Sequence, residues 1–554
     1  MTPEELSQAL AAALRQAVAD GAITGLEEPA IPSEIHVERP RQREHGDWAT
    51  NVALQLAKRA GLPPRDLAAV LARYLLADLA VAAADVAGPG FLNITLNKAA
   101  AGELARQIVQ QGTAFGRGQA YQGQTINVEF VSANPTGPVH LAGARWAAVG
   151  DTMARTLEAQ GATAVREYYF NDHGTQIDRF AQSLLNAAKG LPTPQDGYGG
   201  QYIQDIAHGI DGAEPALKDL PEDQALEAYR ARGVVTMFAE IKQQLHDFGV
   251  DFDVYFHEQS LYDSGEVKAA IGQLKANGSL YEADGAWWLK STAYGDDKDR
   301  VVIKSDGHAA YIAGDIAYFQ NKRQRGADLA IYLLGADHHG YIARLKAGAA
   351  ALGDNPDRVE VLIGQMVFLV KDGQRVKMSK RAGTVVTMED LVSAIGVDAA
   401  RYALVRSSID SNLEIDLDLW ASNTNDNPVY YVQYAHARTR SVARNATAAG
   451  IGDSALFDPA TLAHESEAVL LGVLAEYPGA IAQAAELREP HRVARYLEGV
   501  AGAYHKWYDQ CRVIPTVDQA VEPVHHSRFV LNEATAQVLS NGLAMLGVSA
   551  PERM

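Results

Sequence analysis

Apolar residues in "PEELSQALAAALRQAVA", positions 3–19, recur at helical spacing, which predicts an amphipathic helix at the start of the chain. The greasiest run spans positions 67–86. It carries Arg73, Asp78 and Asp85, so it reads as a helical hairpin or amphipathic helix rather than a membrane span. "GPGFLNITLN" at 88–97 is a Gly/Pro turn followed by strand alternation. Residues 1–115 therefore read as a separate α+β unit, closed by the Gly-rich linker "FGRGQAYQGQ".

Beyond the linker the pattern changes. "TINVEFVS" (125–132) alternates as a strand, "ARWAAVGDTMARTLEAQG" (144–161) has the period of a helix ended by Gly, and "TAVREYYF" (163–170) is strand-like again. Strand, loop, helix and strand in succession make a βαβ unit, the opening of a parallel sheet. Residues 185–300 break the rhythm and read as an insertion. Strand signals return at 300–304, 329–334 and 359–364, and "MVFLVKDGQRVKMS" reads as a hairpin turning at Asp372-Gly373. "TMED" at Thr387 is a capping box that opens a helix. From 421 onward every pattern is helical. The expected architecture is α/β: a Rossmann-like parallel-sheet domain over 120–420 with an insertion near 185–300, an α+β N-terminal domain over 1–115, and an all-α C-terminal domain over 421–554.

Composition narrows the setting. A chain of 554 residues with 47% hydrophobic and 21% charged content forms two to four ordered domains. Its single cysteine, Cys511, excludes an internal disulfide framework and any multi-Cys zinc site, and fits a reducing compartment. The N-terminus lacks the basic start and uninterrupted apolar core of a signal peptide, so a cytoplasmic protein without membrane association is expected. The net charge of −19 argues against nonspecific polyanion binding but leaves room for a nucleic acid held by a local basic strip.

Two stretches carry chemistry. "NPTGPVHLAGAR" (134–145) lies between a strand and a helix, at the carboxyl edge of a parallel sheet, where ligands of such folds bind. Backbone N–H groups at the helix start suit phosphate, Gly137 and Gly143 allow close approach, and His140 becomes a donor to phosphate oxygens. Taken alone, the stretch reads equally well as a plain βα turn with a solvated histidine. "VKMSKRAGT" follows, with Lys377 237 positions after His140. Its Lys377 and Lys380, with Met378 and Ser379 between them, suit charge developing on a leaving pyrophosphate.

In this order the two motifs resemble the signature pair of the class I aminoacyl-tRNA synthetases, and among them the arginyl-tRNA synthetase family. The likeness covers most of the chain. It extends to "EHGDWATNVA", "AGPGFLN", "VEFVSANPTGP", "YYFNDHGTQ", "NPVYYVQYAHAR" and the closing "GLAMLGVSAPERM". The resemblance implies that His140 opens the HIGH motif and that 377–380 is the KMSKS-type loop, making His140, Lys377 and Lys380 catalytic. Pro135, Thr136, Gly143, Met378 and Ser379 then join His140 and Lys380 around ATP. Ala142 and Gly143 replace the Gly and second His of HIGH, so one imidazole is missing. The lysine that some relatives without KMSK carry three residues before the motif is here Gly137.

The resemblance also places the amino-acid site. Asp315 and Glu129 are assigned to a guanidinium, which needs forked acceptors. Asn134 is assigned to the substrate's α-amino or carboxylate end, Tyr311 to shape and a hydroxyl bond, and His338 of "GADHHGY" is a further ligand candidate. Without the family context, Asp315 reads as a helix cap and Glu129 as a solvent-facing strand residue. His338 and His339 beside Asp337 raise the idea of a metal, but adjacent histidines point different ways, and no protein-bound metal is expected. In the C-terminal helices, basic residues interleave with aromatics (Tyr434, Arg438, Arg440, Arg444, Tyr496, Tyr504, His505, Trp507, Tyr508). That pattern suits stacked bases or a helical core. The resemblance makes this region the anticodon-binding domain, with Tyr434, Arg438, Tyr504 and Trp507 touching tRNA, and makes residues 1–115 the domain at the tRNA elbow.

The implied activity is arginyl-adenylate formation from L-arginine and ATP with Mg²⁺, then transfer to tRNA(Arg), with tRNA needed for the first step and the chain a monomer. Two readings compete. Another class I synthetase or related adenylyl-transferring enzyme is opposed by the single cysteine, which rules out the multi-Cys zinc sites of several sister enzymes, and by "NPVYYVQYAHAR". A noncatalytic tRNA-binding paralogue is suggested by the altered HIGH motif and opposed by the intact KMSK.

Overall fold

The computed structural model describes residues 1–40, 42–172, 174–338, 340–376, 386–516 and 518–554, without the side chains of residues 43 and 337. Lys377, Met378, Ser379 and Lys380, and also His339, lie outside the described residues.

The first helix is Pro3–Ala19, started by a capping box. The Thr2 hydroxyl accepts from Glu5 N at 3.2 Å, and the Glu5 carboxylate accepts from Thr2 N at 2.8 Å. β1 (Trp48–Thr50), β2 (Val81–Ala87) and β3 (Phe91–Leu96) make an antiparallel sheet in the order β1-β3-β2. The run at 67–86 is not helical throughout. Its helix, Pro64–Leu75, stops at Leu75, Asp78 accepts from Ala80 N in a turn, and β2 follows. The alanines of "VAAADVA" carry no periodicity of their own, so pairing with β3 decides the strand.

The central sheet is parallel, built from β4 (Thr125–Glu129), β5 (Thr163–Phe170), β6 (Val254–His257), then, after β7 (Leu280–Ala283), β8 (Ala286–Leu289) and β9 (Arg300–Ile303) of a small antiparallel sheet, β10 (Leu329–Gly335) and β11 (Val359–Gly364). Its order is β11-β10-β4-β5-β6. Both faces are covered, so β10 reads as an unbroken apolar run. Ile331 and Leu333 pack into the core that holds the Leu141–Ala159 helix, while Ala330 and Tyr332 pack against the Tyr311–Gln324 and Tyr341–Ala351 helices.

Three expected boundaries shift. β4 ends at Glu129 rather than 132, because Val131 and Ser132 turn out of the sheet at φ of 70° and 37°. The following helix begins at Leu141 rather than 144, because His140 caps it. The expected insertion over 185–300 is not one block: β6 lies inside that range yet is an edge strand of the main sheet. It separates the Gln201–Ala213 and Glu222–Asp247 helices from the β7–β9 sheet.

β12 (Val367–Lys371) and β13 (Gln374–Arg375) form the predicted hairpin, turning at Asp372 and Gly373 with φ of 49° and 71°. β14 (Leu413–Asp416) pairs parallel to β12. The rest is helical among the described residues, with long helices at Pro428–Ala448, His491–Gln510 and Pro523–Leu546. Residues 465–486 are apolar and long enough to cross a membrane, but they form two helices, Glu465–Ala475 and Tyr477–Glu486, whose Leu470, Leu474, Tyr477 and Ile481 are buried in this bundle.

A fully buried Arg401 joins the units. It donates to Asp151 Oδ2 at 2.6 Å on the 141–159 helix, to Phe248 O at 3.0 Å just past the 222–247 helix, and to Leu546 O at 3.0 Å at the end of the last helix. Gly547 takes φ of 64° there, and a Cβ on it would sit 2.3 Å from Arg401 Nη2.

Candidate active site

His140 is the N-cap of the 141–159 helix, and its Nδ1 accepts from Gly143 N at 3.0 Å. That bond fixes the neutral tautomer: with Nδ1 accepting, the proton sits on Nε2, which becomes an outward donor. Surrounding protein desolvates the ring and lowers its pKa, favouring this neutral form. Gly143 N–H is therefore already engaged by His140. A Cβ on Gly143 would lie 3.1 Å from Val139 Cγ1 and 3.7 Å from the imidazole. With Val139 and the imidazole this close, glycine fits where the second histidine of the motif would stand, and a side chain there would press on Val139.

The turn from Asn134 to Val139 is pinned from several sides. Tyr168 donates to Ala133 O at 2.8 Å, Tyr202 to Thr136 O at 3.0 Å, and Gln244 Oε1 accepts from Val139 N at 3.1 Å. Pro135 is buried beneath it. Asn134 is committed on both sides of its amide: Oδ1 accepts from Asn171 N at 3.1 Å and Nδ2 donates to Gln176 at 2.9 Å. It ties the ends of β4 and β5 together and keeps one N–H in hand.

The KMSK tetrapeptide is outside the described residues, but the chain before it is held in its hairpin and the chain after it is anchored beside His140. Val376 N donates to Leu369 O at 2.9 Å at the hairpin. Downstream, Leu141 N donates to Val386 O at 3.0 Å and Met388 N to Val139 O at 2.8 Å, so Thr387 and His140 form a β-bridge. Thr387 then caps the Met388–Ile395 helix with Asp390, as predicted. Fully buried Arg145, one turn into the helix that His140 caps, donates to the carbonyls of Gln365, Ser408 and Ser411 and braces the hairpin base.

The acids form a second cluster. Asp315, on the 311–324 helix, has a buried Oδ2 with no hydrogen-bond partner. Desolvation pushes its pKa up to about 7; Arg344 opposes the shift, and Glu258 and Glu129 add to it. Glu258, first residue of the Glu258–Asp263 helix at the end of β6, was not among the sequence candidates. It bonds the Tyr169 hydroxyl and is coupled electrostatically to Asp315. The sequence signal was there, an acid directly after a strand, but it lay in what read as an insertion. Glu129 is 5% exposed and not solvent-facing. Nor is it an open guanidinium acid: Lys322 Nζ donates to its Oε2 at 2.6 Å and Ser132 Oγ to its Oε1 at 3.1 Å. Tyr311, at 79% exposure, stands at the rim rather than in the wall. His338 closes the end of β10, edge-on to Tyr341 with ring centres 5.1 Å apart.

In the helical domain two candidates are corrected. Tyr504 and Trp507 are fully buried, and Tyr504 donates to Asn532 at 2.9 Å, so they are core and offer no ring to a base. Their helix turns its aromatic face inward. Tyr434 and Arg438 stay accessible: Arg438 donates to the Tyr434 hydroxyl at 2.7 Å and lies 4.9 Å above the Tyr508 ring. Tyr430 lies parallel to Tyr434 at 5.8 Å, and Tyr508 is 40% exposed. Arg440 is occupied by Glu533 at 3.0 Å.

This arrangement matches known proteins along its whole length. Residues 104–195 and 215–413 match the family described as tRNA synthetases class I (R), catalytic domain; residues 4–96 match the arginyl tRNA synthetase N terminal domain, and 432–554 the DALR anticodon binding domain. An arginine–tRNA ligase of Kineococcus radiotolerans is 62% identical over 555 residues, covering all of both chains. The chain belongs to the arginyl-tRNA synthetase family. Arginyl-tRNA synthetase structures from Thermus thermophilus (TM-score 0.79, 22% identity, all of both chains) and Plasmodium falciparum (TM-score 0.71, 14% identity, 99% of this chain and 98% of that one) share the fold. As a class I arginine–tRNA ligase, it uses ATP to join arginine to tRNA(Arg). The altered HIGH motif therefore does not mark a noncatalytic paralogue.

Proposed function

We propose that the turn around His140 and the 377–380 loop hold ATP between them while the acids beside β4 hold arginine. The hydrogen-bonded bridge between residues 386–388 and 139–141 carries this reading, because it ties the base of the lysine loop to the histidine motif. His140 Nε2–H donates to a phosphate oxygen, and Pro135, Thr136 and Gly143 shape the bed beneath the nucleotide. Lys377 and Lys380 follow the negative charge that grows on the departing pyrophosphate, with Met378 and Ser379 completing the loop. The chemistry is alignment and charge stabilisation: arginine's carboxylate oxygen attacks the α-phosphorus, pyrophosphate leaves, and a ribose hydroxyl of the tRNA 3′ end then takes the arginyl group and releases AMP.

Asp315 and Glu258 take the guanidinium: among the described residues neither has an ion-pair partner within 4 Å, and Arg344 acts on Asp315 only from further away. Glu129 takes the α-ammonium, and the spare N–H of Asn134 meets the substrate carboxylate. Tyr311 closes the rim, and His338 borders the nucleotide from β10. Mg²⁺ would accompany ATP, held mainly by the phosphates and water. Tyr430, Tyr434, Arg438 and Tyr508 form the anticodon-loop surface, residues 1–115 face the tRNA elbow, and the enzyme works as a cytoplasmic monomer whose first step needs tRNA. Pyrophosphate exchange with arginine, with and without tRNA(Arg), tests the scheme. Exchange at equal rate without tRNA would remove the tRNA requirement, and exchange with another amino acid would remove the pocket assignment.

A further inference from the structure

Two acids on the central strands β4 and β5 hold a resident lysine or arginine. Arg325 holds Glu167 through two bonds of 2.8 Å, and Lys322 holds Glu129 at 2.6 Å. The Lys322 side chain is 0% exposed, an unfavourable place for an ammonium unless it is fully partnered. It has its partners: Glu129 Oε2, Asn127 Oδ1 at 2.9 Å, and the ring faces of Tyr332 and Tyr318 at 4.0 and 4.5 Å. Packing alone would be served by a methionine there, and such exchanges of a buried ion pair for apolar groups are often neutral or stabilising. Lys322 also lies seven positions after Asp315 on one helix, so the two face the sheet together. One element thus presents an acid left open and a base that occupies another acid.

Arginine has two cationic ends that need different acceptors. A guanidinium binds a carboxylate as a fork and uses both oxygens. At Glu129 one oxygen carries Lys322 and the other carries Ser132, so a guanidinium fork would have to share both oxygens with resident donors. Each oxygen keeps a further lone pair, enough for a single N–H of a compact ammonium. We propose that Lys322 is a positioning residue that sets the direction in which arginine enters. It makes Glu129 the poorer acceptor for the guanidinium, keeps it aimed for the α-ammonium, and leaves Asp315 and Glu258 as the guanidinium end. The reversed pose, with the substrate carboxylate turned away from ATP, is thereby disfavoured. This inference rests on the pocket assignment above.

The test is Lys322→Met in the full-length enzyme, assayed by aminoacylation at saturating ATP and tRNA(Arg). Two quantities are read: KM for L-arginine, and the inhibition constant of 5-guanidinopentanoate, which is arginine without its α-amino group. Loss of one charge-assisted contact predicts about a 10–100-fold rise in KM for arginine. The inhibitor should bind as before or more tightly, since Glu129 becomes free to fork. Equal weakening of both would make Lys322 a packing residue only, and no change in either would also overturn the proposal. If Lys322→Met does not fold, the Lys322→Met, Glu129→Gln pair removes both charges and should show the same selective loss. Asp315→Asn is the control for the pocket itself: it should weaken both compounds. If it weakens neither, the pocket assignment fails rather than the role of Lys322.

Discussion

Asp315 couples arginine binding to pH in a way that can be worked from the structure. Its carboxyl titrates at about 7, raised from an ordinary 3.8 chiefly by desolvation. A guanidinium needs the ionised form, so arginine must bind with release of a proton at and below neutrality. The fraction ionised falls about tenfold between pH 8 and pH 6, and KM for arginine should rise by about that factor. The same shift bears on stability. An acid whose folded pKa is raised contributes stability that is fully present below the ordinary carboxylate range and is lost as pH climbs through the folded value. A shift of roughly three units corresponds to about 4 kcal/mol as an upper bound. Asp315→Asn removes that penalty but buries an amide with incomplete partners, at about 1–3 kcal/mol. The variant should therefore be more stable than the parent at pH 8 by about 1–3 kcal/mol, less so near pH 5, while KM for arginine rises about 100-fold or more. Thermal melts at both pH values and aminoacylation from pH 6 to 8 check this. A flat KM profile in the parent, or a variant that melts lower at pH 8, would refute the idea of an open, desolvated acid.

His140→Asn should keep a helix cap but lose the Nε2–H donor; adenylate formation should drop about 100-fold in single-turnover assays while the melting temperature holds. Lys380→Ala should lose most adenylate formation with tRNA binding nearly kept, as filter binding would report; normal turnover would end the loop's assigned role. Trp507→Ala should lose about 3–5 kcal/mol in a urea melt, as a fully buried ring does. Tyr508→Ala should leave the melt unchanged and weaken tRNA(Arg) by about 1–3 kcal/mol of stacking, and a destabilised Tyr508 variant with intact binding would reverse the two assignments.

What the sequence made legible was local. The Asp372-Gly373 hairpin and the Thr387 capping box are written in neighbouring residues, and both form as expected. His140 was found by its place between a strand and a helix. Glu258 and Lys322 were not found, because their meaning arises only when β6 is brought beside β5 and the 311–324 helix against β4. Glu129 was found without its resident partner for the same reason: Lys322 lies 193 positions away. Tyr504, Trp507 and Tyr508 share one interleaved pattern, and only the packing of the bundle decides which of them turns inward.

Arg401 has a bearing on how such chains can be recombined. Its guanidinium is satisfied by an acid from one region and by main-chain oxygens from two others, one of them in the last helical turn of the protein. A graft that swapped the C-terminal bundle for a relative's would inherit the demand for a carbonyl at that spot and for a residue without a side chain just after it. The seam for a workable chimera therefore runs through that closing turn, and a design cut at the start of the bundle alone would strand a charge in the interior.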